Sequence, residues 1–284
     1  MNDHHAVKYK TFPGYAEVNV NGEVRIIGNW RDRRDIILND LLNSKCNILC
    51  LQEVSWEAYI YLENNLKNTS YAIAGYSQHA NTDERDPSSH GNVIIYDFEA
   101  VRLLGKKVFQ SLKSLYTKEL DGSVVSLARG EIYADFSCNH TGVKFRVANT
   151  HLKGYDRFTP NLKKKEADRL TGFQELQEVI KEMEVDASGF DFLVITGDLN
   201  EGFEEIGSPF SRLKLLQKND YIFDGNETFS EPATDTKIDH IYIKPLAQDK
   251  GSVELIPLKI EMPRILGSDH LLVRTQVVKN EEVV

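Results

Sequence analysis

One stretch, Phe192-Leu193-Val194-Ile195-Thr196-Gly197-Asp198-Leu199-Asn200, limits the possible fold more than any other. Its apolar and β-branched run has the length and branching of a buried strand, and the glycine marks the strand's end. Strand side chains repeat with period two, so Asp198 and Asn200 leave the exit side by side. An acidic acceptor beside an amide suits a metal, a water or a phosphate oxygen. Alone, the triplet reads first as a turn cap. Further strand-end clusters on the same plan overturn that reading.

Asn47-Ile48-Leu49-Cys50-Leu51-Gln52-Glu53-Val54 is a second buried strand, ending in an acid. It follows a helix from Trp30 to Asn43 whose apolar face is Ile36, Ile37, Leu38, Leu41 and Leu42. Residues 129–136 and 143–152 alternate cleanly around Asn139-His140-Thr141-Gly142, predicting a hairpin whose second strand ends at His151. Asn21-Gly22 predicts another hairpin. Near the end of the chain, one strand carries Asp239, and a turn delivers Asp269-His270 into a last strand. Helices are predicted from Ser55 to Asn65, from Lys163 to Glu184 and from Pro209 to Gln217, with a long polar loop at 79–90.

Together Glu53, His151, Asp198, Asn200, Asp239, Asp269 and His270 form a hard, oxygen-rich set without the cysteines or clustered histidines that zinc prefers. Such donors suit Mg²⁺ or Mn²⁺, commonly held by one or two carboxylates plus a substrate phosphate. A local excess of positive charge lies downstream: Lys153, Arg157, Lys163, Lys164, Lys165 and Arg169 against Asp156, Glu166 and Asp168. Tyr155 and Phe158 are interleaved there, so the segment can hold phosphate and stack a base, or simply solvate a helix start.

The net charge of −9 means that an anionic substrate must meet a local basic patch or a bound cation. No apolar run approaches the roughly 20 residues a membrane helix needs, and no signal peptide opens the chain. Cys46, Cys50 and Cys138 lack metal-ligand spacing and form no even disulfide set. The expectation is a cytoplasmic monomer with one domain over residues 1–284.

The ordered motifs Leu51-Gln52-Glu53-Val54, Asn149-Thr150-His151-Leu152, Gly197-Asp198-Leu199-Asn200, Lys237-Ile238-Asp239-His240 and Gly267-Ser268-Asp269-His270 resemble the endonuclease/exonuclease/phosphatase superfamily over nearly the whole chain. Trp30-x-x-Arg33 ahead of Leu-Gln-Glu further resembles its branch of Ccr4-type deadenylases and related phosphodiesterases. The resemblance implies an α+β, four-layer DNase I-like fold: a two-sheet β-sandwich flanked by helices, with the site at its rim. It implies metal-dependent phosphoric ester hydrolysis, with Glu53 on the metal and Asp269 contributing to the metal site or to the dyad. Asp239 orients His270 for water attack, Asp198 aligns that water, and Asn200 and His151 contact the scissile phosphate. Lys153, Tyr155, Arg157, Phe158, Lys163, Lys164 and Lys165 would bind substrate. The family's first strand usually ends in an Asn upstream of Leu-Gln-Glu. Residues 7–12 have the strand's apolar character without the Asn, so this motif reads as missing.

A nucleic-acid substrate, RNA or DNA, is the leading expectation. A small or lipid phosphate substrate is the alternative within the fold, and a catalytically degenerate binding module the non-enzymatic one.

Overall fold

A computed structural model describes residues 10–12, 15–20, 23–28, 30–78, 90–110, 116–118, 124–126, 130–154, 160–223, 237–246, 253–258, 265–266 and 273–279. Six strands make the larger sheet, in the order Ile222–Phe223, Asp239–Pro245, Phe192–Asp198, Lys144–His151, Gly130–Cys138, Val101–Gln110. Three make the smaller one, Ile48–Ser55, His90–Asp97, Tyr71–Gln78. Lys10–Phe12, Tyr15–Val20, Glu23–Gly28 and Ile265–Leu266 form a separate sheet, and two short ribbons complete the described strands.

Alternation along the central strand sorts the layers. Phe192 and Val194 face the smaller sheet with Phe145, Val147, Ile132, Phe136 and Ile94. Leu193 and Ile195 face the other way, against Leu176, Val179, Ile180 and Met183 of helix Leu162–Glu184 and Leu213 and Leu216 of helix Arg212–Lys218. A strand covered on both faces must read as an unbroken apolar run, as this one does. On the far side, Leu41, Ala58, Leu62 and Leu66 of helices Trp30–Asn43 and Trp56–Leu66 pack on Leu49, Val93 and Ile95. The result is helix, sheet, sheet, helix: the α+β sandwich expected, in four layers. Each fully buried Leu or Ile contributes about 1.5–3 kcal/mol. Among the described residues, no helix is long and apolar enough to cross a membrane.

Local chemistry sets the element ends. Ser55, Asn161 and Ser211 each accept a backbone N–H from the first turn that follows. The Ser211 cap starts the fourth helix at Arg212, three residues later than the Pro209 expected from sequence. Both predicted hairpins form, with Val20 opposite Glu23 and Ser137 opposite Lys144. The polar loop was expected over 79–90; His90 opens a strand, and 79–89 lie outside the described residues.

Lys144–His151 and Phe192–Asp198 run parallel, which requires a crossover, and helix Leu162–Glu184 supplies it. The return from that helix is fastened by Arg146, only 4% exposed. Its guanidinium holds Asp135 through two bonds of 2.6 and 3.1 Å and donates to the Met183 and Val185 carbonyls at 3.1 and 2.7 Å. Tyr133 and Phe190 cover it at 4.3 and 4.9 Å. Arg146→Met should leave Asp135 and two carbonyls without their donor and lower stability by about 3 kcal/mol, read from the urea midpoint.

Candidate functional site

The larger sheet brings three predicted residues into one row. His151 is in register with Asp198, and Asp198 with Asp239, so the ends of two strands and the start of a third meet at one edge. All three are buried, at 8%, 7% and 9% exposure. The fourth comes from the smaller sheet. Glu53 sits where pairing with His90–Asp97 slips between Leu51 and Val54, and its φ is +54°. That bulge turns the side chain outward, leaving it 71% exposed. His151 Nε2 lies 4.0 Å from Glu53 Oε1 and 3.6 Å from Asp198 Oδ2.

Asn200 completes the cluster through its own geometry. It adopts φ +53°, a left-handed conformation that Asn tolerates. Its backbone N–H donates to Asp198 Oδ1 at 2.7 Å, and its side-chain amide to the Leu152 carbonyl at 2.9 Å. Gly197 before it has φ +129°, and a Cβ there would lie 2.0 Å from the Thr150 carbonyl oxygen. The glycine is thus what lets the two parallel strand ends come so close.

Glu53, His151, Asp198, Asn200 and Asp239 therefore share one edge. Lys153 follows His151 by two residues and is half-buried; Lys163 and Lys164 are exposed and Lys165 half-buried on the first turn of their helix. Tyr155, Arg157, Phe158, Asp269 and His270 lie outside the described residues. Strand Ile265–Leu266, which runs toward the Gly267–His270 motif, pairs in parallel with Glu23–Gly28. Strand Glu23–Gly28 leads directly through Asn29 into helix Trp30–Asn43. Residues 7–9 of the stretch expected to be the family's first strand lie outside the described residues, and the strand next before the Trp30-x-x-Arg33 helix is Glu23–Gly28.

Other polar groups around the site escaped the sequence reading. Asn149, fully buried, donates to the Leu51 and Val93 carbonyls at 2.9 and 2.8 Å and accepts from Gln52 at 2.6 Å. It thereby bonds one sheet to the other directly behind Glu53 and His151. Arg212, 1% exposed, reaches the carbonyls of Leu199, Asn200 and Lys153. Burial pulls its guanidinium below its ordinary pKa, opposed by Glu201, Glu175, Asp198 and Glu205. Burial also pushes the Glu201 and Glu205 carboxyls above their usual range. His240 is caged by Phe203, Phe223 and Tyr242 and bonds the Glu201 carbonyl at 2.8 Å through Nε2.

Among the described residues no three His, Cys, Asp or Glu side chains form a ready-made metal cage. The donors that do meet are hard oxygens beside a solvent-open carboxylate, Glu53. That chemistry fits Mg²⁺ or Mn²⁺, which keep water and substrate oxygens in much of their shell.

No protein-family model matches the chain, and no curated protein sequence matches it. Solved structures do. An endonuclease/exonuclease/phosphatase protein from Bacteroides vulgatus aligns with TM-score 0.63 and 19% identity over 89% of this chain and 92% of its own. The mannosyl-6-phosphatase of Bacteroides thetaiotaomicron VPI-5482 aligns at 0.61 and 19%, covering 88% and 92%. D. rerio TDP2, solved with a single-strand DNA product, aligns at 0.58 and 12%, covering 85% and 90%. The chain thus has the fold of the endonuclease/exonuclease/phosphatase proteins.

The caged histidine makes a pH prediction. Burial lowers its pKa from 6.5 to about 4. Between those values the unfolded chain takes up a proton that the folded one refuses, so this group's contribution to stability falls as pH drops through the window. His240→Gln retains a donor for the Glu201 carbonyl and removes the titration. The stability difference between wild type and variant, from urea midpoints, should shrink from pH 7 to pH 4 and then level off.

Proposed function

We propose that this chain is a metal-dependent phosphoric ester hydrolase acting on nucleic acid. The observation that carries the reading is the convergence of Glu53, His151, Asp198, Asn200 and Asp239, from three strand ends, one bulge and one turn, on one edge of this fold. In this reading Glu53, with Asp269, holds Mg²⁺ or Mn²⁺. A bound divalent cation supplies charge neutralisation at the phosphoryl group and at the leaving oxygen.

The remaining work belongs to side chains. His151, beside both Glu53 and Asp198, donates toward a phosphate oxygen. Asn200 keeps one amide hydrogen on the Leu152 carbonyl and offers the other to substrate. Such preset donors act on charge that develops in the transition state. Asp198 has one oxygen committed to the Asn200 N–H, which orients the other toward the attacking water. Asp239 orients His270, which takes the water's proton, and Asn29 takes the first-strand Asn role. With Asn29 in that role, the degenerate-module reading loses the gap in the motif set that supported it.

A nucleic-acid substrate is favoured by the lysine-rich helix start at Lys163–Lys165 and by the fold shared with the DNA-bound TDP2 structure. A small phosphomonoester is the second reading, supported by the net charge of −9 and the fold shared with the mannosyl-6-phosphatase.

The deciding experiment is hydrolysis of single-stranded RNA, single- and double-stranded DNA, inositol phosphates and sugar phosphates, with Mg²⁺ and with EDTA. Cleavage of one class should require the metal and fall roughly a hundredfold in Glu53→Ala. No turnover of any class would refute the hydrolase assignment. Replacing Lys163, Lys164 and Lys165 with Gln tests the polymer substrate separately. For a single strand, the slope of log affinity against log salt should weaken by about 2. An unchanged slope would remove that helix start from the binding surface.

A further inference from the structure

We infer that Arg212, together with Glu175, is a positioning pair that sets the spacing between the strand exits carrying His151 and Asp198–Asn200. The inference rests on the hydrolase reading for its kinetic consequences, but not for its structural ones.

Both groups are 1% exposed and come from different helices, Glu175 from Leu162–Glu184 and Arg212 from Arg212–Lys218. Neither is on the edge where the candidate residues meet. One guanidinium nitrogen, Nη1, donates to the carbonyls of Leu199 and Asn200, both at 2.8 Å, and Nη2 donates to that of Lys153, also at 2.8 Å. Glu175 Oε2 accepts the Lys153 N–H at 2.5 Å. The peptide group two residues beyond His151 is thus held on its N–H side by an anion, and Lys153's carbonyl by a cation. The same cation holds two successive peptide carbonyls, those of Leu199 and Asn200. The two strand exits are also joined directly, Asn200 to the Leu152 carbonyl and the Leu152 N–H to the Asp198 carbonyl.

The fold makes room for this arrangement. Gly172 lies against the guanidinium, and a Cβ there would come within 2.1 Å of one of its nitrogens. Glycine inside a helix costs about 1 kcal/mol relative to alanine, so the space carries its own penalty. Stability is a weak account of the pair, because well-packed apolar residues commonly replace buried ions at no loss. What they cannot do is span carbonyls on two separate segments. A planar guanidinium can, and an ammonium cannot reproduce that fork.

Arg212→Lys keeps the charge and loses the fork, so it is the first variant to make. Two readouts are taken together: steady-state kinetics on whichever substrate the wild type hydrolyses, and hydrogen exchange at single amides. The amides of Leu152 and Asn200 should exchange at least tenfold faster, while those of Val194 and Ile195 in the central strand stay as in wild type. An ångström of misplacement at the site should lower kcat about a hundredfold with KM within about threefold. If Arg212→Lys does not fold, Glu175→Gln, which weakens one bond, should show both effects in smaller measure. Unchanged exchange at Leu152 and Asn200 would overturn the inference. So would acceleration spread evenly through the central strand, which would mark the pair as a general stabiliser. A wild type without turnover would sink the hydrolase reading alone, leaving the exchange comparison to decide the clamp.

Discussion

Three polar bonds at Asn149 cross the space between two sheets whose other described contacts there are dominated by apolar side chains. Apolar burial is non-directional: Phe145, Phe192, Ile94 and Ile132 would remain nearly as well buried if one sheet slid slightly over the other. The candidate site would not survive such a slide, because Glu53 stands on one sheet and His151, Asp198 and Asp239 on the other. Asn149 supplies the missing direction. Its amide meets the carbonyls of Leu51 and Val93 on two neighbouring strands of the smaller sheet, and Gln52 returns a bond to it. A buried amide with its partners in place tolerates little displacement, since each lost bond strands a polar group away from water.

Within the larger sheet the problem is different. Backbone pairing already fixes His151, Asp198 and Asp239 against one another. Beyond the last paired residues, however, the chain leaves the sheet, and Asn200 belongs to that departing segment. There the backbone is held by side chains reaching in from the helical layer. Layer by layer, hydrophobic packing defines the sandwich, hydrogen-bonded strands define the row, and a few buried polar groups fix what neither can. Glu53 is the exception, standing on a bulge and open to solvent.

The sequence carried most of the fold. The run at 192–198, the hairpins and the apolar helix faces follow simple periods, and the structure keeps them with ends moved by a few residues where Ser211 or Asn161 caps a helix. The row of site residues was legible because each ends or begins a strand and has a chemistry poorly matched to plain packing. Asn149 gave no sign of its work, since the two carbonyls it donates to lie on strands 56 and 98 residues away. Arg212 was hidden for the same reason, inside an otherwise ordinary amphipathic helix.

The parallel pairing of the His151 and Asp198 strands has a consequence for how the chain reaches its native state. Antiparallel neighbours joined by a tight turn can meet early, but these two must wait for a 23-residue helix to form and fold back between them. Asn149 can find Leu51 only once a loop of nearly a hundred residues has closed. Contacts of such high order slow folding, because the intervening loops must close before the contacts form. The edge where the acids gather depends on residues far apart in the chain, so a partly unfolded molecule lacks that gathering.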